Sequence, residues 1–364
     1  MALILFIGAP PTLSFVVFPE LERRNLNTTR AHRVALPLIG GSLVIAIVAA
    51  SVLAVGNARA ADIGSFVTWV GATTAGQAWA AFITVGTLSG VLTAGHYSRS
   101  DHVSRQLWLR TVFVGALVML VMFCWTRFST AVDIPAIAIF VKFTHMMGGA
   151  LWVGGLAVLA MFPWLIPRDP DSDTDMARFV LSVIRQFSIF AVAGVTIAFA
   201  TGVIIAAWHV PTPTALATTS YGILLSVKIG LVLLAAALGG FNRLILHKQI
   251  SSSVTESGST ASLPGLLTVI EPRISTDEAL SMVTRSVRFE LLVLAVALGL
   301  SVALTTVVTP SYELLDSATV TPGAIIAGGA LGMFTELLGL GAVGIGLAGA
   351  LALGYELGQL DLSR

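Results

Sequence analysis

Blocks of about 20 consecutive apolar residues recur along this chain and constrain its fold more than any other feature. A helix of about 20 residues spans the hydrocarbon core of a bilayer. Lipid offers no hydrogen-bond partners, so an uninterrupted apolar block of this length forms a helix whose backbone groups pair internally. The composition agrees, since 56% of the 364 residues are hydrophobic and only 11% are charged, against roughly 25% in a soluble domain. We therefore predict an all-α, polytopic transmembrane helical bundle.

About nine such blocks separate the charged loops, and each predicts one membrane-spanning helix. Pro10 and Pro11 lie inside the first block and predict a kink there. Ser275 and Glu278 have the spacing of a capping box, which predicts that a helix begins there and continues into the eighth block. The last block is rich in Gly and Ala and predicts either one long tilted helix or a re-entrant pair. The predicted spans are 2–19, 34–56, 75–95, 111–129, 135–163, 187–208, 221–241, 289–308 and 323–355.

Lys and Arg are distributed unevenly between alternate loops. Sixteen of the twenty lie in or beside one set of loops, whereas only Arg59 and Arg127 lie in or beside the other. Because loops rich in Lys and Arg stay in the cytoplasm, we predict an external N-terminus and a cytoplasmic C-terminus, with membrane lipid as the surroundings. The sequence contains no basic tract, so we expect no nucleic-acid partner.

A histidine lies deep in the fifth predicted span, in the stretch HMMGGALWVGG. About ten residues into its helix, His145 is close to mid-bilayer at 1.5 Å per residue, where an ionisable side chain marks a functional site by default. Met146 and Met147 adjoin it, and the preceding span adds Met119 and Met122. Imidazole together with thioether sulfur suits copper, especially Cu(I). We predict a copper site here; the alternative is that the methionines fill the core and the histidine is a structural hydrogen-bonder.

The glycines of the same stretch predict a close helix contact at the histidine. Small residues let a neighbouring helix approach within the membrane, and here they would bring its donor atoms to His145. Trp152 lies two turns after His145 on the same face of the helix. The glycines are Gly148, Gly149, Gly154 and Gly155.

Other polar residues in or near the spans leave alternatives open. Lys142 and Lys228 either snorkel to the outer surface or line a polar path for an ion. His209 ends the sixth span at the outer surface, either as a first ligand for incoming copper or as an interfacial residue. Glu290 begins the eighth span near the inner face, where a charge costs little. We expect the remaining histidines to be solvated, in or beside cytoplasmic loops; they are His32, His96, His102 and His247.

Four stretches, in this order, resemble the copper resistance D (CopD) family of inner-membrane proteins: HMMGGALWVGG, RQFSIFAVAGVTIAFATG, YGILLSVKIGLVLLAAALGGFNR and VRFELLVLAVALGLSVALTTVVTP. The resemblance implies copper transport across the cytoplasmic membrane, often with a small external copper-binding protein as partner. By position it implies functional roles for His145, Trp152, Tyr221 and Lys228, and a structural role for Asn242.

The resemblance also predicts how the chain is organised. Its first four helices match the family only in general character, and its last helix is an addition. We predict an N-terminal four-helix membrane region at 1–130, a CopD-like four-helix membrane domain at 131–310 and a Gly-rich C-terminal membrane helix at 311–364.

The leading hypothesis is a protein that transports or handles copper, with import slightly favoured. It is not expected to be an enzyme, because the sequence contains no G-x-S-x-G, P-loop or HExxH motif. Two alternatives come from other classes. A haem-binding electron-transfer protein needs two axial ligands at matching depth. Only His145 lies deep among the histidines, so the second ligand would be Met119 or Met122. The other alternative is a membrane assembly subunit without an ion path.

Overall fold

The structure is a computed structural model that describes residues 1–58, 62–96, 102–125, 135–165, 173–210, 212–241, 276–305 and 307. Within these residues the chain forms helices and turns and no strand, which confirms the all-α prediction. In chain order the helices are α1 Ala2–Arg23, α2 Thr28–Ala58, α3 Ile63–Ala72, α4 Thr74–His96, α5 His102–Trp125, α6 Pro135–Ala160, α7 Phe162–Leu165, α8 Asp173–His209, α9 Ala215–Thr218, α10 Ser220–Phe241 and α11 Thr276–Leu304.

Eight helices of the described residues are long and apolar enough to cross a membrane, and they follow the first eight predicted spans in order. The prediction of a polytopic helical membrane protein is therefore confirmed. Their outward faces carry large apolar side chains such as Val52, Phe140 and Val302, as expected of a surface that meets lipid. The ninth predicted span, 323–355, lies outside the described residues. The eight helices are α1, α2, α4, α5, α6, α8, α10 and α11.

Helix α1 is largely buried and contributes Phe6, Ile7 and Leu13 to the main core. Pro10 and Pro11 lie inside it, and the helix continues past them through one π-helical turn. A proline removes a backbone N–H, and a local π-helical adjustment pairs the backbone groups that this leaves free. At the predicted kink, the structure thus has a π turn within a continuous helix.

Gly8 of α1 and Gly154 of α6 pack backbone against backbone. A Cβ atom built on Gly8 would lie 1.8 Å from the carbonyl oxygen of Ala150, and one built on Gly154 would lie 2.5 Å from the Cα of Gly8. Both distances are far shorter than any real carbon contact, so this approach requires glycine at both positions. The contact fixes α6, the helix that carries His145, against the buried α1.

The helix ends differ from the predicted spans in two places. Helix α3 lies where the sequence predicted a loop, and the side chain of Asp62 caps it by accepting a hydrogen bond of 2.7 Å from the Ser65 backbone N–H. Helix α8 begins at Asp173, well before residue 187, because polar residues extend the helix beyond its apolar block. The start of α11 at Thr276 confirms the prediction made from the capping-box spacing.

Candidate functional site

His145 lies where α6 packs against α8, and one of its ring nitrogens is hydrogen-bonded. Nδ1 is 2.8 Å from the carbonyl oxygen of Ala198 and 3.2 Å from Oγ1 of Thr201. A carbonyl oxygen can only accept, so Nδ1 carries the proton and donates it. The neutral ring then has its lone pair on Nε2, the nitrogen that a metal ion can bind. Histidines that ligate metals have their other ring N–H held by a partner of this kind.

Glycines bring α6 and α8 together at His145. A Cβ built on Gly148 would lie 2.7 Å from the carbonyl oxygen of Gly194 and 2.8 Å from the backbone nitrogen of Ala198. On the facing helix, a Cβ built on Gly202 would lie 3.2 Å from Cε1 of the His145 ring. The close helix contact at the histidine is therefore made by Gly148 and by glycines of α8.

The other three glycines of the HMMGGALWVGG stretch have different surroundings. No atom lies within 4 Å of a Cβ built on Gly149. Gly154 contacts Gly8, and a Cβ built on Gly155 would lie 2.0 Å from the Phe187 ring. The prediction that all four glycines serve the approach to His145 is therefore too broad, because successive helix positions face different neighbours.

Two lysines place positive charge near the imidazole. Lys228 of α10 and Lys142 of α6 both interact electrostatically with His145, Lys228 the more strongly. The Lys142 Nζ atom also lies 5.7 Å from the centroid of the Phe123 ring. Like charges repel, so both ammonium groups oppose the binding of a cation at His145. That they line a polar path stays a prediction.

Trp152 and Glu290 form a buried hydrogen bond between α6 and α11. Glu290 is 2% exposed and accepts a bond of 3.0 Å from Nε1 of Trp152. A Cβ built on Gly239 would lie 3.0 Å from a carboxyl oxygen of Glu290, so α10 contacts the same group. The expectation that Glu290 lies where a charge costs little is wrong, because α11 packs this position against two other helices. The sequence signal that could have indicated this buried contact is the presence of an acidic side chain within an apolar block.

His209 and Tyr221 stack on each other near the end of α8. Their ring centroids are 6.0 Å apart and the ring planes differ by 16°. The His209 Nδ1 atom is 2.7 Å from the carbonyl oxygen of Ile205, so this ring also donates to the backbone. His209 follows Thr201 by eight residues, or about 12 Å along the helix. The structure thus brings two of the candidate residues together, at a level of α8 different from that of His145.

The four candidate methionines pack in the apolar interior. Met119 is fully buried, and its Cε lies 3.2 Å from a Cβ built on Gly86 of α4. Met122, Met146 and Met147 are partly buried against the same core. In the part of the chain that the structure describes, no group of three or more His, Cys, Asp or Glu side chains is placed to hold a metal ion. Ligation of copper by sulfur beside His145 stays a prediction.

The prediction that His32 and His96 are solvated is wrong. They are 3% and 6% exposed, and their ring centroids lie 5.1 Å apart in an edge-to-face arrangement. Trp108 stacks on His96 with a centroid distance of 4.9 Å. Both histidines belong to helices, since α2 begins four residues before His32 and α4 ends at His96, so packing buries them. The side chain of His102 and all of His247 lie outside the described residues.

Residues 181–304 match the family model described as copper resistance protein D. This CopD segment comprises α9, α10, α11 and most of α8. It contains Tyr221, Lys228 and Glu290, whereas His145 and Trp152 precede it. For this multi-pass membrane protein, the match confirms the family resemblance over most of the three later stretches read from the sequence. The first stretch, HMMGGALWVGG, precedes the matched residues.

A curated relative supports the same reading. The copper transport protein CutJ of Bacillus subtilis (strain 168) is 24% identical over 152 residues, which cover 42% of this chain. The aligned part spans only 27% of that relative's own length. No solved structure matches this chain.

Proposed function

We propose that this protein transports copper across the cytoplasmic membrane, with His145 as a ligand inside the bilayer. The observation that carries the proposal is the hydrogen bond from Nδ1 of His145 to the Ala198 carbonyl oxygen. It fixes the plane of the ring and directs the lone pair to Nε2, which is the arrangement of a metal-binding histidine. The CopD segment and the copper transport relative support copper as the ion.

Copper is the transported substrate in this proposal, which assigns the protein no enzymatic activity. Thioether sulfur and imidazole nitrogen together favour Cu(I) over hard divalent ions. The proposed soft ligands beside His145 are Met119, Met122, Met146 and Met147. We assign His209 to a separate position on the path, close to the end of α8. The residues proposed to line or support the path are Trp152, Tyr221, Lys228 and Lys142.

The proposed direction is import, with an external N-terminus and a cytoplasmic C-terminus. The uneven distribution of Lys and Arg supports this orientation, and an external copper-binding protein is the proposed donor. Reporter fusions at Gly64, Asp171 and Ser257 test the orientation. We expect an external signal at Gly64 and cytoplasmic signals at the other two positions. An external signal at Asp171 or Ser257 would overturn the topology.

Copper accumulation in cells that produce the protein tests the role of His145. We expect His145→Leu and His145→Gln to abolish accumulation while expression and thermal stability change little. Glutamine keeps polarity and can still donate to the Ala198 carbonyl group, but it is a poor ligand for a soft metal. Full accumulation with glutamine would make His145 a structural hydrogen-bonder.

A matched control lies next to the histidine. Oγ1 of Thr144 donates to the Phe140 carbonyl group of its own helix at 2.8 Å, so Thr144→Val removes a hydroxyl from the same turn and leaves the imidazole contacts in place. We expect this variant to accumulate copper normally. The absorption spectrum of the purified protein distinguishes haem binding from copper binding, since a Soret band would favour haem.

A further inference from the structure

A second group of nitrogen ligands lies outside the CopD segment, at the end of α4. His32 of α2 meets His96 of α4 edge to face, and Trp108 of α5 contacts both rings. Nε1 of Trp108 is 3.3 Å from Oγ1 of Thr93, so the indole ring is held in place by α4. Its stacking on His96, with ring planes 15° apart, fixes the plane of that imidazole.

The His32 ring lacks the partners that a buried imidazole needs. Both of its nitrogens are buried, and neither has a hydrogen-bond partner among the described residues. A buried donor or acceptor without a partner costs about 1–3 kcal/mol, and edge-to-face ring contacts return only about 0.5–1.5 kcal/mol. An additional group bound at the ring nitrogens would remove this cost.

The surroundings of the two imidazoles permit a monovalent cation. Arg105 opposes positive charge on His32, and its ion pair with Glu22 offsets part of that repulsion. Its guanidinium group is held 4.5 Å above the Phe18 ring, and one of its amino groups lies 3.3 Å from Oγ1 of Thr28. The described contacts therefore give Arg105 a structural role of its own beside the histidines.

We propose that His32 and His96 form a second copper site, which binds Cu(I) through one nitrogen of each ring. The choice of ion rests on the proposed function. Metal–nitrogen bonds of about 2 Å require the two nitrogens to lie at most about 4 Å apart. Because Trp108 fixes the plane of the His96 ring, the His32 ring, whose centroid lies 5.1 Å away, would turn to bring one of its nitrogens toward a nitrogen of His96. Imidazole nitrogen suits copper. Zinc fits less well, because a structural zinc site takes four ligands and this pair supplies two.

The second site lies at a different depth from His145. Nε of Arg30 donates to the carbonyl oxygen of Trp164 in α7, which places the start of α2 beside the short helix that directly follows α6. His145 precedes the last residue of α6, Ala160, by fifteen residues, or about 22 Å. Copper would therefore meet the two sites in succession, and in the proposed orientation the histidine pair is the cytoplasmic one.

Titration of the purified full chain with Cu(I) against a chromophoric chelator, under anaerobic reducing conditions, tests the proposal. We expect the unaltered protein to bind two ions, and both His145→Gln and the double variant His32→Gln, His96→Gln to bind one. One ion that is lost only with His145→Gln would overturn the second site and leave the proposed function intact. One ion that is lost only with the double variant would support the second site and refute His145. No binding would overturn both.

X-ray absorption of the copper-loaded His145→Gln variant keeps the proposal testable even if the double variant does not fold. Both histidines of the second site are unaltered in this protein. We expect a first shell of two imidazole nitrogens at about 2 Å. A sulfur-dominated first shell, or fewer than two imidazoles, would overturn the proposal.

Discussion

Replacing Gly148 by alanine tests the contact that positions His145. The added Cβ would lie 2.7 Å from the Gly194 carbonyl oxygen and 2.8 Å from the Ala198 nitrogen, both backbone atoms that cannot rotate away. Gly149 is the matched control. It is the next residue of the same helix, and a Cβ there meets no atom within 4 Å.

The size of the effect follows from the distances. An ordinary contact begins near 3.4 Å, so α6 and α8 must separate by about 0.7 Å to accept the methyl group. The same shift would lengthen the bond between His145 and the Ala198 oxygen from 2.8 Å to about 3.5 Å, the limit of a hydrogen bond. Overpacking costs about 1–3 kcal/mol and the lost bond about 1 kcal/mol, so we expect a loss of about 2–4 kcal/mol.

Equilibrium unfolding in mixed micelles, together with copper accumulation in cells, measures both consequences. We expect Gly148→Ala to be destabilised and to accumulate less copper. Gly149→Ala should be unchanged, or more stable by roughly 0.5–1 kcal/mol because alanine favours the helix. Equal stability and equal accumulation in the two variants would refute the reasoning, since the two positions differ only in what their Cβ atoms meet.

Three further predictions concern other groups. Trp152→Phe leaves the buried Glu290 without its donor and should lower the free energy of unfolding by about 1–3 kcal/mol. Adding Glu290→Leu to the same chain should restore most of this loss in a double-mutant cycle. Strictly additive effects of the two substitutions would contradict the pairing. Lys228→Leu removes a repelling charge and should tighten Cu(I) binding several-fold in a chelator competition, whereas weaker binding would make the lysine a supporting group. A backbone N–H of the first turn of α3 holds the pKa of the Asp62 carboxyl below its ordinary value. The ionised Asp62 cap therefore stabilises α3 fully above the ordinary pKa of the carboxyl, and this stabilisation is lost as the pH falls through the lowered pKa. Amide hydrogen exchange of residues 63–72, corrected for intrinsic rates, should become faster over the same pH range. Asp62→Asn should make the corrected exchange rates independent of pH.

The membrane-spanning helices could be predicted because length and apolarity alone determine them. A block that fills the hydrocarbon core has no alternative to a helix, so the eight described spans follow the sequence closely. Helix α3 was missed because its ten residues are too few to span, and a short apolar segment between turn residues also fits a loop. The early start of α8 was missed because its first turns are polar and give no membrane signal.

The candidate site was only partly predictable, because burial depends on which helices pack together. His145 stood out since an imidazole in mid-bilayer is unusual in itself. Glu290 did not, because its partner Trp152 is 138 positions away in sequence and only the fold joins them. His32 and His96 lie near the ends of their helices, where sequence predicts solvent, and three packed helices exclude that solvent.

Helix α6 is held by three neighbours in two physically different ways. Against α1 it packs backbone to backbone at Gly8 and Gly154, and against α8 it does so at Gly148 and Gly194, with no side chain that can adjust. Against α11, the contact that involves Trp152 is a side-chain hydrogen bond, worth about 0.5–3 kcal/mol in net stability. A rearrangement that gives an ion access to Nε2 of His145 therefore costs least when α11 moves relative to α6. All of α11 lies in the CopD segment, so the helix whose movement would open the proposed path belongs to the part of the chain that matches a copper resistance family.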